Sequence, residues 1–522
     1  MPAIVYVPLD ERPCNAGYPV QIAAASDVDM ISPPPELLGN KKQPADTAKL
    51  SSWLLENAST ADRLILSIDM IVYGGIVPSR LHSWSFEQCA DRLRTIAECK
   101  RINPHLRVYA FNLIMRAPSY SSSEEEPDYY AEYGAELARS GWLQDKLQRE
   151  GWTEEERAES VRIAQRLPVE VRDDFISRRQ TNASVNRLSV DLAREGVIDF
   201  LIIPLDDNAK YGYTAQEQRK LLQIIERDRL MDRVHMYPGA DEIGCTMFSR
   251  VFCELKGYRP EVFIRHASTN GPFIIPKYED RSLGESLKSH LTAAGAFICD
   301  GSADADVVLM VNSPPIGAYD MAETDSGYEA RHASYFSEVG LREFVQAIRA
   351  YSDKGKLVAL ADVATCNGGD ESLMNLVSDS GLLPRLSAYA GWNTSGNTLG
   401  TVIAHAIVES YYRLPDRQPI EGREHSSKLF YWSRLLEDWG YQAVVRTDIV
   451  KNDLEALGGS YFHIAHIQDT VIELIDEKMK RFLAKNAADL PLERIRIRDI
   501  RLPWDRMFEV GFRLEADPIK QS

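Results

Sequence analysis

The feature that most constrains this chain is a series of eight short apolar runs, each closed by a polar residue and followed by a stretch of helical pattern. The runs are Ile4–Leu9, Leu64–Ile68, Val108–Ile114, Phe200–Leu205, Val234–Pro238, Val307–Val311, Leu357–Ala361 and Leu386–Ala390. Continuous apolar runs of this length belong to strands buried on both faces. Helical patterns lie between them, at Phe86–Cys99, Glu217–Ile225, Leu341–Ala350 and Thr401–Tyr412. Strands alternating with helices predict right-handed βαβ units and a parallel sheet. Eight such units fit a closed (β/α)₈ TIM barrel, and an α/β fold of that kind is expected. An open doubly wound sheet is the competing arrangement. It concentrates its chemistry at a switch point, whereas here chemistry-bearing residues end nearly every run.

The barrel is expected over residues 1–402, with two additions. A long excursion at 118–196 opens on the polar, aromatic-bearing PSYSSSEEEPDYYAEYG and continues as helix, on the face where barrel enzymes keep their sites. A small inserted α/β unit at about 261–301 carries VFIRH, FIIP and AFICD. Residues 403–522 read as mainly helical and end in ERIRIRDIRLPWDRMFEVGFRLEA, whose two alternating runs predict a β-hairpin.

In a barrel, polar residues at the C-terminal ends of strands point to a shared site. Those ends supply Asp10, Glu11 and Arg12; Asp69 and Tyr73; Asn112 and Arg116; Asp206, Asp207 and Asn208; Asp241 and Glu242; Asn312; Asp362 and Asn367; and Trp392 and Asn393. Each alone reads as a strand-end cap. Their convergence on one mouth would crowd carboxylates together, and mutual repulsion would raise some of their pKa values toward the range of a general acid.

Two tandem acidic pairs stand out, Asp206-Asp207 in IIPLDDNAKYG and Asp241-Glu242 in MYPGADEIG. Paired carboxylates serve glycoside hydrolysis, where one protonates the leaving oxygen and another manages the positive charge at the anomeric carbon. Adjacent pairs suit a variant in which the sugar's own 2-acetamido oxygen is the nucleophile. One carboxylate then holds the acetamido N–H and its neighbour is the acid/base. Trp392, Tyr73, Tyr211 and Tyr237, at or just past strand ends, offer faces on which sugar C–H groups stack.

Three segments carry a family resemblance. LDDN at 205–208 resembles the tandem aspartates of glycoside hydrolase family 84, the O-GlcNAcase and bacterial hyaluronidase-like enzymes. LADVATCNGGD (360–370) and YAGWNTSGNTLGT (389–401) are similar to that family's later strand-end segments, in the same order. PGADEIG instead resembles the Gly-x-Asp-Glu signature of the family 20 β-hexosaminidases. As a whole the chain resembles a family catalogued as a domain of unknown function, related to β-N-acetylgalactosaminidases of the substrate-assisted type. The family 84 resemblance implies Asp206 as the acetamido-orienting group and Asp207 as the acid/base, with Asp362, Asn367 and Asn393 binding sugar hydroxyls or the acetamido group. The family 20 resemblance implies Asp241 and Glu242 in those two roles and Arg12 as a hydroxyl ligand. Strand counting favours Asp206-Asp207; residue identity favours Asp241-Glu242. The remaining strand-end residues Asp10, Asp69, Tyr73, Asn112, Asn312 and Trp392 are expected to bind substrate.

Composition narrows the partners. Against 60 Lys+Arg stand 77 Asp+Glu, a net charge of −17 over 522 residues, which repels nucleic acid and anionic membrane surfaces. The amino terminus has no basic, apolar and small-residue succession of a signal peptide, and no run approaches a membrane span, so a cytoplasmic location is expected. The seven cysteines are scattered without a CxxC pair, which fits a reducing compartment. Ten histidines form no HExxH, and no GxGxxG, P-loop or GxSxG motif opens a helix. No cofactor and no metal is expected. The expected partner is an N-acetylhexosamine-containing glycoside or oligosaccharide, and self-association into a homo-oligomer is left open. The alternative is a carboxylate-metal hydrolase using Asp10, Asp69, Asp206 and Asp241 as hard oxygen ligands.

Overall fold

The computed structural model describes residues 2–487, 490 and 495–516. Within them the chain divides into two compact units, one of residues 1–11, 29–244 and 278–280 and the other of residues 12–28, 245–277 and 281–522.

The first unit is built on a six-stranded sheet of β1 (Ala3–Val7), β2 (Asp29–Ile31), β3 (Arg63–Ser67), β4 (Arg107–Phe111), β5 (Phe200–Leu205) and β6 (Val234–Pro238), in the order β2-β1-β3-β4-β5-β6. The second has a five-stranded sheet of β7 (Glu261–His266), β8 (Phe297–Ile298), β9 (Val307–Asn312), β10 (Val358–Asp362) and β11 (Ala388–Ala390), in the order β11-β10-β9-β7-β8. Every pairing in both sheets is parallel. The eight apolar runs are therefore strands, but not those of the single closed barrel expected from them. β1 is hydrogen-bonded on both sides, to β2 and β3, and β7 likewise to β8 and β9. Each sheet is open, and each begins in the 2-1-3-4-5 order of doubly wound sheets. The physical reason is that an apolar run reports burial on both faces and carries no information about which strand lies beside it.

The segment expected as an inserted unit supplies β7, the helix Leu283–Ala294 and β8, whose strands extend the second sheet beside β9. Side chains of that sheet alternate between two cores. Val308, Met310, Val358 and Leu360 pack with Trp439, Phe482 and Leu435 on one face. Val307, Leu309, Val311, Ala359 and Ala361 pack with Leu287, Leu291, Leu399 and Ile403 on the other. This double burial is what makes the runs continuous rather than alternating. The excursion at 118–196 forms three helices, Tyr130–Arg149, Glu154–Arg166 and Val169–Arg194, gathered around Tyr130, Leu137, Leu167, Phe175 and Tyr213. Beyond residue 402 come helices at Arg423–Arg434 and Gln468–Asn486 and a π-helix at Leu435–Val445. There β12 (Ile495–Arg501) pairs antiparallel with β13 (Gly511–Ala516); residues 493–494, which begin the expected hairpin run, and 517–522 lie outside the described residues. No helix among the described residues is long and apolar enough to cross a membrane.

The turn after β3 depends on one glycine. Ser67 caps the helix Ile68–Tyr73 by accepting the Met70 N–H at 3.1 Å, and Gly74 closes it with φ 90° while its N–H donates to the Met70 carbonyl. A Cβ at Gly74 would lie 2.7 Å from the Ala45 nitrogen and 2.8 Å from the Pro44 Cβ. Gly74→Ala is therefore expected to destabilise the fold by about 1–3 kcal/mol through strain and collision. Urea unfolding followed by circular dichroism measures this; an unchanged midpoint would show that the turn accommodates a side chain.

Candidate functional site

The first unit concentrates charge where its strands end. β5 is an uninterrupted buried run, and the chain turns directly after it, with Asp207 in the left-handed region at φ 46°. Pairing of the neighbouring chain continues past the end of β4: Asn112 N–H donates to Ile202 O and Ile114 N–H to Pro204 O, both at 3.1 Å. That continuation carries Arg116 alongside the tandem aspartates.

Two guanidinium groups, from the buried Arg80 and the mostly buried Arg116, organise the cluster. Arg80, on the short helix Pro78–Leu81, donates to Asp206 Oδ2 at 2.9 Å, Glu125 Oε2 at 3.1 Å and Glu126 Oε1 at 3.4 Å. Arg116 donates to Glu126 Oε1 at 2.8 Å, Glu125 Oε2 at 3.0 Å and Asp207 Oδ2 at 3.2 Å. Glu125 and Glu126 stand in the loop that opens the long excursion. That loop is fixed by Tyr130, whose hydroxyl donates to the Pro118 carbonyl, and by the Lys41–Glu124 ion pair. Four carboxylates thus face two guanidiniums. Burial and the adjacent Asp206 push Asp207 up to about 7, against the pull of Arg116 and Arg80. Asp206 and Asp207 keep 13% and 19% of their side-chain surface in solvent.

Asp69 belongs to the same electrostatic neighbourhood. It follows β3, accepts from Asn112 Nδ2 at 3.2 Å and Leu113 N–H at 3.0 Å, and is pushed up to about 6 by burial, with those bonds and Arg80 opposing. Asn112 is held in turn, its Oδ1 accepting from Asn186 and Ser189. Asp69 and the buried Asp10 follow β3 and β1, the two strands flanking the switch point of this sheet. Ligands of doubly wound folds bind at that place. Tyr73 is buried and stacks on His82 with centroids 4.5 Å apart, so it packs instead of offering a face.

Asp241 and Glu242 follow β6 directly beside β5: Leu205 pairs with Pro238, and Gly239 N–H reaches the Leu205 carbonyl. The two tandem pairs therefore leave adjacent strand ends. Their environments differ. Glu242 is 1% exposed and folds back on its own turn, accepting the Ala240 N–H at 3.0 Å over Gly239, where a Cβ would strike the carboxylate.

Asn312, Asp362, Asn367, Trp392, Asn393 and Arg12 lie in the second unit, whereas Glu11, Asn208, Tyr211 and Tyr237 lie in the first. Asn312 donates to Asp362 Oδ1 at 2.8 Å, while Asp362 Oδ2 accepts the Asp370 N–H at 2.8 Å. Burial and Asp370 push Asp362 up to about 7. Asn367 and Asn393 both adopt left-handed backbone, at φ 61° and 59°, and are joined by the Asn367 N–H to the Asn393 carbonyl. Trp392 is buried edge-on against Phe508, and its Nε1 and the Asn312 Oδ1 make no hydrogen bond. Arg12 lies over the Trp504 ring at 4.4 Å and 3.9 Å from Glu509. Sequence reasoning missed Arg80, Glu125 and Glu126. The acidic triplet in SSSEEEPDYY was the available signal, while Arg80, in VPSRLHS, ends no strand run and offers none.

The chain belongs to the family described as "Protein of unknown function (DUF4127)", whose model matches residues 4–513. No curated protein matches it. Among solved structures it is similar to the carboxyl transferase domain of Rhizobium etli pyruvate carboxylase at 10% identity and a TM-score of 0.17. That alignment covers 94% of this chain and 61% of the other, so the chain spans less than two thirds of its length.

The raised pKa of Asp207 has a thermodynamic consequence. The native state holds a proton that the unfolded chain releases near its ordinary value of about 3.9, so stability from this group falls as pH rises from about 4 toward 7. Asp207→Asn, which has no proton to lose, is expected to decline less over that window, by an amount on the order of 1 kcal/mol. Parallel urea titrations at several pH values between those limits test it; identical slopes for the two proteins would remove the assigned shift.

Proposed function

We propose that this member of the DUF4127 family is a glycoside hydrolase that releases β-linked N-acetylhexosamine, with N-acetylgalactosamine the preferred sugar, by a retaining, substrate-assisted mechanism. The observation that carries the reading is the environment of two adjacent aspartates. Asp207 keeps its proton toward neutrality although Arg116 reaches its Oδ2, and beside it Asp206 accepts from Arg80. A carboxyl group that holds its proton toward neutrality beside a second carboxylate is the mark of a general acid. Their partial exposure, against the folded-back Glu242, favours Asp206-Asp207 over Asp241-Glu242 as the reacting pair.

In this reading the substrate's acetamido oxygen attacks the anomeric carbon as the glycosidic C–O bond breaks, and Asp207 gives its proton to the departing oxygen. Asp206 Oδ2 is held by Arg80, and its other oxygen accepts the acetamido N–H and steadies the oxazolinium that forms. Water then opens the ring from the face the leaving group vacated. Asp207, now a carboxylate, takes its proton, and the configuration is retained. Arg80 and Arg116 position both carboxylates and limit the rise in the Asp207 pKa.

The test is release of nitrophenol from paired chromogenic β-glycosides: the N-acetylgalactosaminide, the N-acetylglucosaminide, and the galactoside and glucoside without the acetamido group. Cleavage confined to the acetamido sugars is expected, with kcat/KM falling above about pH 7 as Asp207 loses its proton. Asp207→Asn is expected to lower kcat/KM by about 10²–10⁴-fold and to remove that alkaline limb. Equal cleavage of the plain sugars overturns the substrate-assisted step. An inactive Glu242→Gln beside a fully active Asp207→Asn overturns the residue assignment. Activity lost to a chelator and restored by Mg²⁺ transfers the site to the carboxylate-metal reading.

A further inference from the structure

The second unit contains a cleft of about 230 Å³ that the proposed chemistry does not use. Its lining is Glu323, Asp325, Asn367, Arg446, Thr447, Val450, Lys451 and Tyr461. The wall is built from three directions. Asn367 extends from the turn after β10 in left-handed backbone, donating through Nδ2 to Glu323 Oε2 at 2.7 Å. Arg446 and Thr447 start the helix Arg446–Asn452, which continues from the π-helix Leu435–Val445. π-Helical turns recur beside ligand sites because they redirect the side chains that follow. Tyr461 closes the third side, its ring packed edge-on against Phe462.

The hydrogen bonds separate scaffold from unspent capacity. Arg446 is 5% exposed and its guanidinium is committed: Nη2 to the Asn367 carbonyl, Nη1 to the Phe508 carbonyl at 2.9 Å and the Tyr461 hydroxyl at 3.4 Å. Glu323 is likewise committed, to Lys277 and Asn367. By contrast, the buried Thr447 Oγ1 makes no hydrogen bond among the described residues. Lys451 uses one donor, on the Asp325 carbonyl at 3.0 Å, which leaves two of its ammonium protons.

We propose that this cleft is a binding site for a neutral, hydroxyl-rich small molecule of monosaccharide size. The lining balances Arg446 and Lys451 against Glu323 and Asp325, so neither a net anion nor a net cation is favoured. A ring of hydroxyls, each both donor and acceptor, matches Thr447 and Lys451 together, and its C–H face matches the Tyr461 ring. The volume falls below the roughly 300–1,000 Å³ of drug-sized pockets, which fits one sugar ring and excludes an extended chain. The choice of an amino sugar as probe rests on the glycosidase reading; the cleft itself does not.

Hydrogen–deuterium exchange with free N-acetylgalactosamine localises the effect. Protection is expected in peptides spanning 321–328 and 446–461, in the wild type and in Asp207→Asn alike. Thr447→Val and Lys451→Met are each expected to need a roughly fivefold higher sugar concentration for the same protection, the loss of one hydrogen bond to the ligand. Hydrolysis without protection in these peptides overturns the cleft while leaving the catalytic reading intact; protection without hydrolysis does the reverse. Protection that both variants leave unchanged, or protection by inorganic phosphate in place of sugar, also overturns the proposal.

Discussion

The first unit is organised around the pairing of two arginines, one buried and one mostly so, with four carboxylates. A guanidinium withdrawn from water is tolerated only when anions and hydrogen-bond acceptors surround it, and breaking such a pair costs several kcal/mol because the survivor stays buried. Arg80 and Arg116 therefore dictate where four separate pieces of chain must lie: the short helix Pro78–Leu81, the continuation of β4, the end of β5 and the loop bearing Glu125 and Glu126. The excess of negative charge is relieved by a proton on Asp207. The constraint that shapes the mouth of the sheet is the same one that leaves Asp207 with a raised pKa.

The second unit uses buried carboxylates to another end. Asp362 accepts the Asp370 N–H, and Asp438 accepts the Gly391 N–H at 2.9 Å while holding Arg434 at 3.0 Å. These acids fix turns at the ends of β10 and β11. Gly369 and Gly391 let the two turns approach, since a Cβ on either would crowd the Tyr389 hydroxyl. Burial raises Asp362 and Asp438 as it raises Asp207, yet their oxygens are spent on the protein itself. A raised carboxyl pKa marks a site only when one face of the group still meets solvent.

What the sequence disclosed follows from what hydrophobicity encodes. Val307–Val311 and Leu357–Ala361 were legible as strands because both faces of β9 and β10 are apolar. Their neighbours were not legible, since any doubly buried strand can pair with any other. β2 was hidden by its three-residue length and its position at a sheet edge, whereas the two residues of β8 fall inside AFICD, where a strand was expected. The types Asp207, Asn367 and Asn393 were visible, and aspartate and asparagine are the residues that tolerate left-handed backbone, but the angle itself depends on the turn around them. Arg80 ended no strand run, and only tertiary structure joins it to residues 45 to 126 positions away.

The segment of residues 12–28 belongs to the second unit although it is made almost first. Its anchors are late in the chain: the Tyr18 hydroxyl donates to Glu437, 419 positions on, and Asp27 accepts from Tyr412, 385 positions on. At about 5–20 residues per second, a ribosome takes roughly 20–80 s to bridge the longer gap. For most of that interval Tyr18 lacks its partners Phe430 and Glu437. Residues 12–28 must therefore wait for these partners while the intervening chain is made, and this part of the second unit closes only after residue 437 has emerged. Apolar surface left without its partners for that long is open to misassociation, so this order of threading exposes the chain most before its own last contacts can form.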